Sequence, residues 1–147
     1  MSRLAADLNQ TSLRGGQRLT SRDLARTCAA VAKAVRLRRP MRVSVAFVSE
    51  AEIRRLNKAY RRRNAVTDVL SFGDGEAGQL GEVLICFAQA RRQARALGHP
   101  VRQEALFLLV HGLLHLFGYD HERPIDAHRM FPLQSRILDS LGIDARL

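Results

Sequence analysis

The sequence predicts an α+β domain, a small mixed sheet of about four strands covered by about five helices. Three observations carry that expectation. Strand-like stretches rich in Val and Phe alternate with segments of helical periodicity. Residues 106–116 are apolar nearly all round, as a central buried helix requires. Capping residues, glycines and prolines separate the segments. The 147 residues fit a single domain, 1–147, long enough to bury a core without disulfide staples.

Taken in order, residues 4–8 read as an edge strand and 14–17 as a turn. Thr20 and Asp23 stand at capping spacing, and Leu24, Cys28, Val31 and Val35 recur at helical intervals, so a first helix runs to Arg36. Residues 41–48 alternate and read as a strand. Ser49 and Glu52 then open a helix over about 50–62, whose inward stripe is expected to be Ile53, Leu56, Asn57 and Tyr60. Arg54, Arg55, Arg61 and Arg62 fall on its flanks and outside. Short strands at 69–72 and 82–86 are joined by a glycine-rich loop over 73–81, which lacks the Lys and Ser or Thr of a P-loop. A helix over 88–97 stops at Gly98, and Pro100 opens the apolar one through Phe117. A last helix over 127–141 sets Met130, Leu133, Ile137 and Leu141 on one stripe.

No apolar run approaches the length of a membrane span, and Arg3, Asp7, Arg14 and Arg18 interrupt any secretory core, so the cytoplasm is the expected address. Cys28 and Cys86 are too few for a disulfide framework and read as reduced thiols, with Cys86 a candidate neighbour of a metal. Twenty-four basic residues against 14 acidic give a net charge of +10 and point to a polyanionic partner, nucleic acid before membrane headgroups.

The most informative segment is His111-Gly112-Leu113-Leu114-His115-Leu116-Phe117-Gly118-Tyr119-Asp120-His121. Residues four apart lie one turn above each other on a helix, so His111 and His115 share a face. Gly118 suits the left-handed residue that closes a helix, with Tyr119 folding back on Leu114, and the returning chain delivers His121. Three imidazoles suit zinc or a similar divalent ion and leave a fourth position open, as catalytic sites do. A chance pair of histidines in a helix is more often packing or capping; the glycine turn and the third histidine shift the reading to a metal site.

A zincin sets Glu after its first histidine as general base, and Gly112 stands there, so a metalloprotease lacks its key part. Asp120 and Glu122 flank His121 without an assigned role. Phosphodiester hydrolysis instead needs an ion and a cation for the growing negative charge. Arg61, Thr67 and Asp68 are placed to meet the site, although Arg61 on its own reads as a solvated helix-end residue.

Asn57 with Tyr60-Arg61, the block Thr67-Asp68-Val69-Leu70-Ser71-Phe72, Gly98-His99 and the histidine segment together resemble the bacterial YbeY family of metal-dependent endoribonucleases and ribosomal RNA maturation factors. The resemblance spans about 43–141 and departs from the family's pattern at Asn64, Val66, Gly73 and Glu82. It implies a mixed four-stranded sheet and one divalent ion, zinc first, on His111, His115 and His121. It further implies Arg61 as the functional arginine, cleavage of single-stranded ribosomal RNA precursor, and contact with the small ribosomal subunit and its proteins. The reading that follows is an endoribonuclease with Arg61 and His111 in catalysis and Asp68 as a structural residue. The rivals are a non-catalytic, metal-stabilised ribosome-assembly factor, for which Cys86 as a closing fourth ligand would speak, and a metalloprotease.

Overall fold

The computed structural model describes residues 3–144. Four strands, β1 (Leu4–Asn9), β2 (Met41–Val48), β3 (Val69–Gly73) and β4 (Gln79–Cys86), form one sheet in the order β1-β2-β4-β3. β1, β2 and β4 run parallel, and β3 lies antiparallel to β4 at the other edge. The helices are α1 (Ser21–Ala34), α2 (Glu50–Arg61), α3 (Phe87–Leu97), α4 (Val101–Leu116) and α5 (Pro124–Ser140). The expected α+β architecture is what the structure shows.

Both capping boxes form as the sequence predicts: the Asp23 amide donates to Thr20 Oγ1 at 3.0 Å and the Glu52 amide to Ser49 Oγ at 3.1 Å. Each satisfies amides that the first helical turn leaves without an intrahelical acceptor. Two boundaries differ from expectation by three residues. β4 begins at Gln79 rather than 82, because pairing to β2 continues past an irregularity near Arg42 and Val43 that a glycine-rich composition conceals. α5 begins at Pro124 rather than 127, with proline in the first helical position, where its missing N–H costs nothing.

The sheet has two unlike faces. On one, α1, α4 and α5 share a large core with Val43, Val45, Val83 and Ile85, and α3 packs against α4. Leu108, Leu109, Val110, Leu113 and Leu114 of α4 are all buried, each of the leucines contributing about 2–3 kcal/mol by area. On the other face α2 stands over a small cluster of Ile53, Leu70 and Cys86. Tyr60 departs from its expected inward position: it is 68% exposed, its ring meeting Phe72 edge-on at 5.2 Å. The helical spacing places Tyr60 on the sheet side of α2, but at the rim of the sheet, where Phe72 meets its ring edge-on and most of the side chain is left to solvent.

The ends of α2 and α4 meet the same end of the sheet from opposite faces. Tyr60 touches Phe72, whose partner across the ladder is Glu82, and Leu116 approaches the neighbouring Gly81.

Candidate metal centre

Helix α4 packs against the sheet at Gly112, where a side chain would not fit. A Cβ at Gly112 would sit 2.7 Å from Val83 Cγ1, closer than packed atoms tolerate, and 3.1 Å from Ser71 Oγ, a tight contact. Ser71 Oγ donates to the Gly112 carbonyl oxygen at 3.0 Å and fixes the helix at this point. The carboxylate that a zincin would set here has no room, which removes the metalloprotease on steric as well as chemical grounds.

The helix then ends as the sequence predicts. Gly118, at φ 96°, is left-handed; its amide donates to His115 O and that of Tyr119 to Leu114 O, both at 3.0 Å, the paired bonds of a Schellman turn. The turn redirects the chain, and His121 arrives beside the two helical rings. Ring centroids are 4.7 Å apart for His111 and His115, 5.1 Å for His111 and His121, and 5.2 Å for His115 and His121. One ring nitrogen from each lies within 4.8 Å of the others.

The orientation of His111 is set from α5. Its Nδ1 is 2.8 Å from Gln134 Oε1, and because an amide oxygen only accepts, Nδ1 carries the proton and Nε2 presents its lone pair to the cluster. His115 Nε2 lies 3.1 Å from that Nε2, near the ~3.3 Å between nitrogens on a tetrahedral ion with bonds of about 2.0–2.1 Å. Burial, followed by the repulsion of His111 and His121, pushes His115 down to about 4. It is therefore neutral at physiological pH, the state in which imidazole donates to a metal. His121 is exposed, with Phe131 stacked on it at 5.6 Å, so one side of the cluster is open to solvent. Two half-buried rings, an exposed third and, among the described residues, no fourth His, Cys or carboxylate in the cluster fit a divalent ion bound with an open position.

The other residues singled out from sequence distribute as follows. Arg61 is exposed at the open edge of the sheet, its Nη2 3.5 Å from the Ser71 carbonyl oxygen. Ser71 thus joins Arg61 to the α4 backbone beside His111, its carbonyl facing one and its hydroxyl the other. Asp68 Oδ1 accepts from the Val69 amide at 2.8 Å and serves the local backbone. Asp120 Oδ1 accepts from the His121 amide at 2.7 Å, and that bond holds its carboxyl below the ordinary range. Cys86 does not approach the rings: it is fully buried beneath α2 with Ile53 and Leu70, and desolvation raises its thiol. Strand alternation puts Cys86 on the α2 side of β4, opposite Val83 and Ile85 and away from the expected neighbourhood of the metal. Gln134 lies outside the residues the sequence reading assigns to the site; its signal is an amide beside the apolar stripe of Met130, Leu133 and Ile137, where a buried polar group must have a partner.

Fold and site together define a small α+β protein with a three-histidine centre suited to a divalent ion, flanked by Gln134 and Phe131 of α5 and open to solvent at His121. Residues 8–142 match the family described as Endoribonuclease YbeY, and the chain belongs to that family. It is similar to the Endoribonuclease YbeY of Macrococcus caseolyticus, 45% identical over 111 residues that cover 69% of this chain and 72% of the relative. The Endoribonuclease YbeY of Limosilactobacillus reuteri is 42% identical over 129 residues, 76% of this chain and 81% of the relative. Among solved structures, a Thermotoga maritima protein determined in solution superposes with a TM-score of 0.59 at 26% identity, covering 95% of this chain and 91% of that one.

Proposed function

We propose that this chain is a metal-dependent endoribonuclease that cuts single-stranded RNA during ribosomal RNA maturation. His111, His115 and His121 would hold one divalent ion, zinc first, and Arg61 would receive the scissile phosphate. The observation that carries the reading is the convergence of three ring nitrogens, one of them oriented by a buried amide, on a side open to solvent. When bound, the ion supplies polarisation of a phosphoryl oxygen or activation of water. The chain's own contribution is geometric and electrostatic. Gln134 fixes the His111 tautomer, the Gly118 turn presents His121, and Arg61 offers a planar fork that matches two phosphate oxygens. With a net charge of +10, the surface attracts RNA in a salt-dependent way. The expected setting is the cytoplasm, with the small ribosomal subunit and its proteins as partners; among the described residues no helix is long and apolar enough to cross a membrane.

The competing assembly-factor reading calls for a metal closed off by a fourth protein ligand, and the burial of Cys86 away from the rings speaks against the residue best suited to close it. The test incubates metal-loaded and metal-stripped protein with single-stranded ribosomal RNA precursor and maps new ends, with His111→Ala as control. New ends should vanish on stripping and return on reloading. Ends that persist in both the stripped protein and His111→Ala would overturn the proposal.

A further inference from the structure

We propose that the groove between the end of α2 and strands β3 and β4 is a nucleobase subsite, occupied by a base of the same RNA whose phosphate Arg61 holds. This rests on the endoribonuclease reading and adds a part of the substrate to it. The groove encloses about 380 Å³ and is lined by Leu56, Tyr60, Phe72 and Leu84, with Glu82 the charged group in its wall. It lies on the face of the sheet opposite α4.

Three observations favour a base as occupant. Tyr60 is a large aromatic face left 68% exposed, yet its edge contact with Phe72 at 5.2 Å holds it in place. A fixed aromatic ring open to solvent is the feature on which single-stranded nucleic acids stack, independent of sequence. Next, Arg61 follows Tyr60 directly and reaches the Ser71 carbonyl at the sheet edge, so a cation for the phosphate stands one residue from the stacking face. Finally, a base presents apolar faces and a polar rim, and the groove repeats that division. Glu82 pairs with Phe72 across the ladder and so shares its face, where its carboxylate can accept from the amino group of cytosine, adenine or guanine. Uracil offers no amino group. An anionic ligand would be repelled by Glu82, and an apolar helix from a protein partner would bury that carboxylate without a donor.

Ser71 connects the two faces. Arg61 sits on its carbonyl and the helix bearing His111 on its hydroxyl, so a nucleotide with its base in the groove has its phosphate directed around the β3 edge toward the three histidines.

The test uses full-length His111→Ala protein, to prevent cleavage, and single-stranded RNA carrying the fluorescent base 2-aminopurine at successive positions. Anisotropy reports binding and 2-aminopurine quenching reports stacking. Quenching is expected at one position, lost in Tyr60→Ala with about ten-fold weaker binding and retained in Tyr60→Phe. An abasic nucleotide at that position should weaken binding to the parent protein and add nothing in Tyr60→Ala. Glu82→Gln should narrow the preference for cytosine over uracil there. Binding without quenching at any position, or quenching indifferent to Tyr60→Ala, overturns the subsite and leaves the groove to a protein partner. Absence of RNA binding altogether would sink the endoribonuclease reading itself, and the subsite with it.

Discussion

Histidine occurs at both ends of α4, and the two ends treat it differently. Before the first turn, His99 Nε2 meets Glu104 Oε1 at 2.9 Å, and Gln93 Nε2 donates to the other oxygen of the same fully buried carboxylate at 2.8 Å. One residue from the helix start, Arg102 forms an ion pair with Asp23 of α1. That end is complete: buried acceptors face donors, and the helix is pinned to α1 and α3. At the other end, the His111 and His115 nitrogens face each other at 3.1 Å and a third ring closes on them, with an amide rather than a carboxylate behind His111. What a histidine does here is decided by what confronts it. A carboxylate makes it a strut, whereas converging imidazoles make a pocket for a cation.

The largest expected effects separate the two ends by readout. His111→Ala and Arg61→Glu should each reduce cleavage of single-stranded RNA precursor to background, while circular dichroism shows an intact fold; Arg61→Gln, which stays polar but loses the charge and the reach of the guanidinium, should cost about 10²–10³-fold in rate. Glu104→Ala should do the reverse. It strands Gln93 and His99 around a buried void and should lower unfolding free energy by about 3 kcal/mol in denaturant titration, leaving cleavage per folded molecule near normal. Were Glu104→Ala to abolish cleavage without loss of stability, the division between strut and centre would be broken.

Gly112→Ala tests the spacing that links the centre to the sheet. The added methyl meets Val83 and Ser71, so α4 must shift, at about 1–3 kcal/mol, and metal affinity measured by competition with a chelator should fall with it. Arg102→Leu is the mildest, about 1 kcal/mol, since half of its side chain is in solvent. The side-chain hydrogen bond from Arg102 holds the Asp23 carboxyl below its ordinary 3.8, so the pair's contribution is full above that pH and lost as pH falls through the lowered value. The stability gap between parent and Arg102→Leu should therefore shrink on acidification below about pH 4.

Local signals in the chain carried the centre and much of the frame. The capping boxes, the four-residue histidine spacing, the Gly118 turn and the apolar α4 all rest on contacts within a few residues, and each is found where expected. What sequence left hidden depends on partners distant along the chain. Periodicity placed Tyr60 on the sheet side of α2 but could not show that the sheet ends beneath it. Cys86 alternates correctly within β4, yet which face carries the histidines is set by α4, about 25 residues later. Gln134 meets His111 across 23 residues and two elements, and Gly112 was legible as a missing general base before it was legible as a contact surface.

The central claim is that His111, His115 and His121 together hold one divalent ion, and its most direct test is elemental analysis of protein purified without chelator. One divalent ion per chain is expected in the parent and in Glu104→Gln, and none in His121→Ala, where only the exposed ring is removed and the fold should be undisturbed. A parent protein that cleaves RNA without a stoichiometric ion, or a His121→Ala protein that keeps its full complement, would contradict the account.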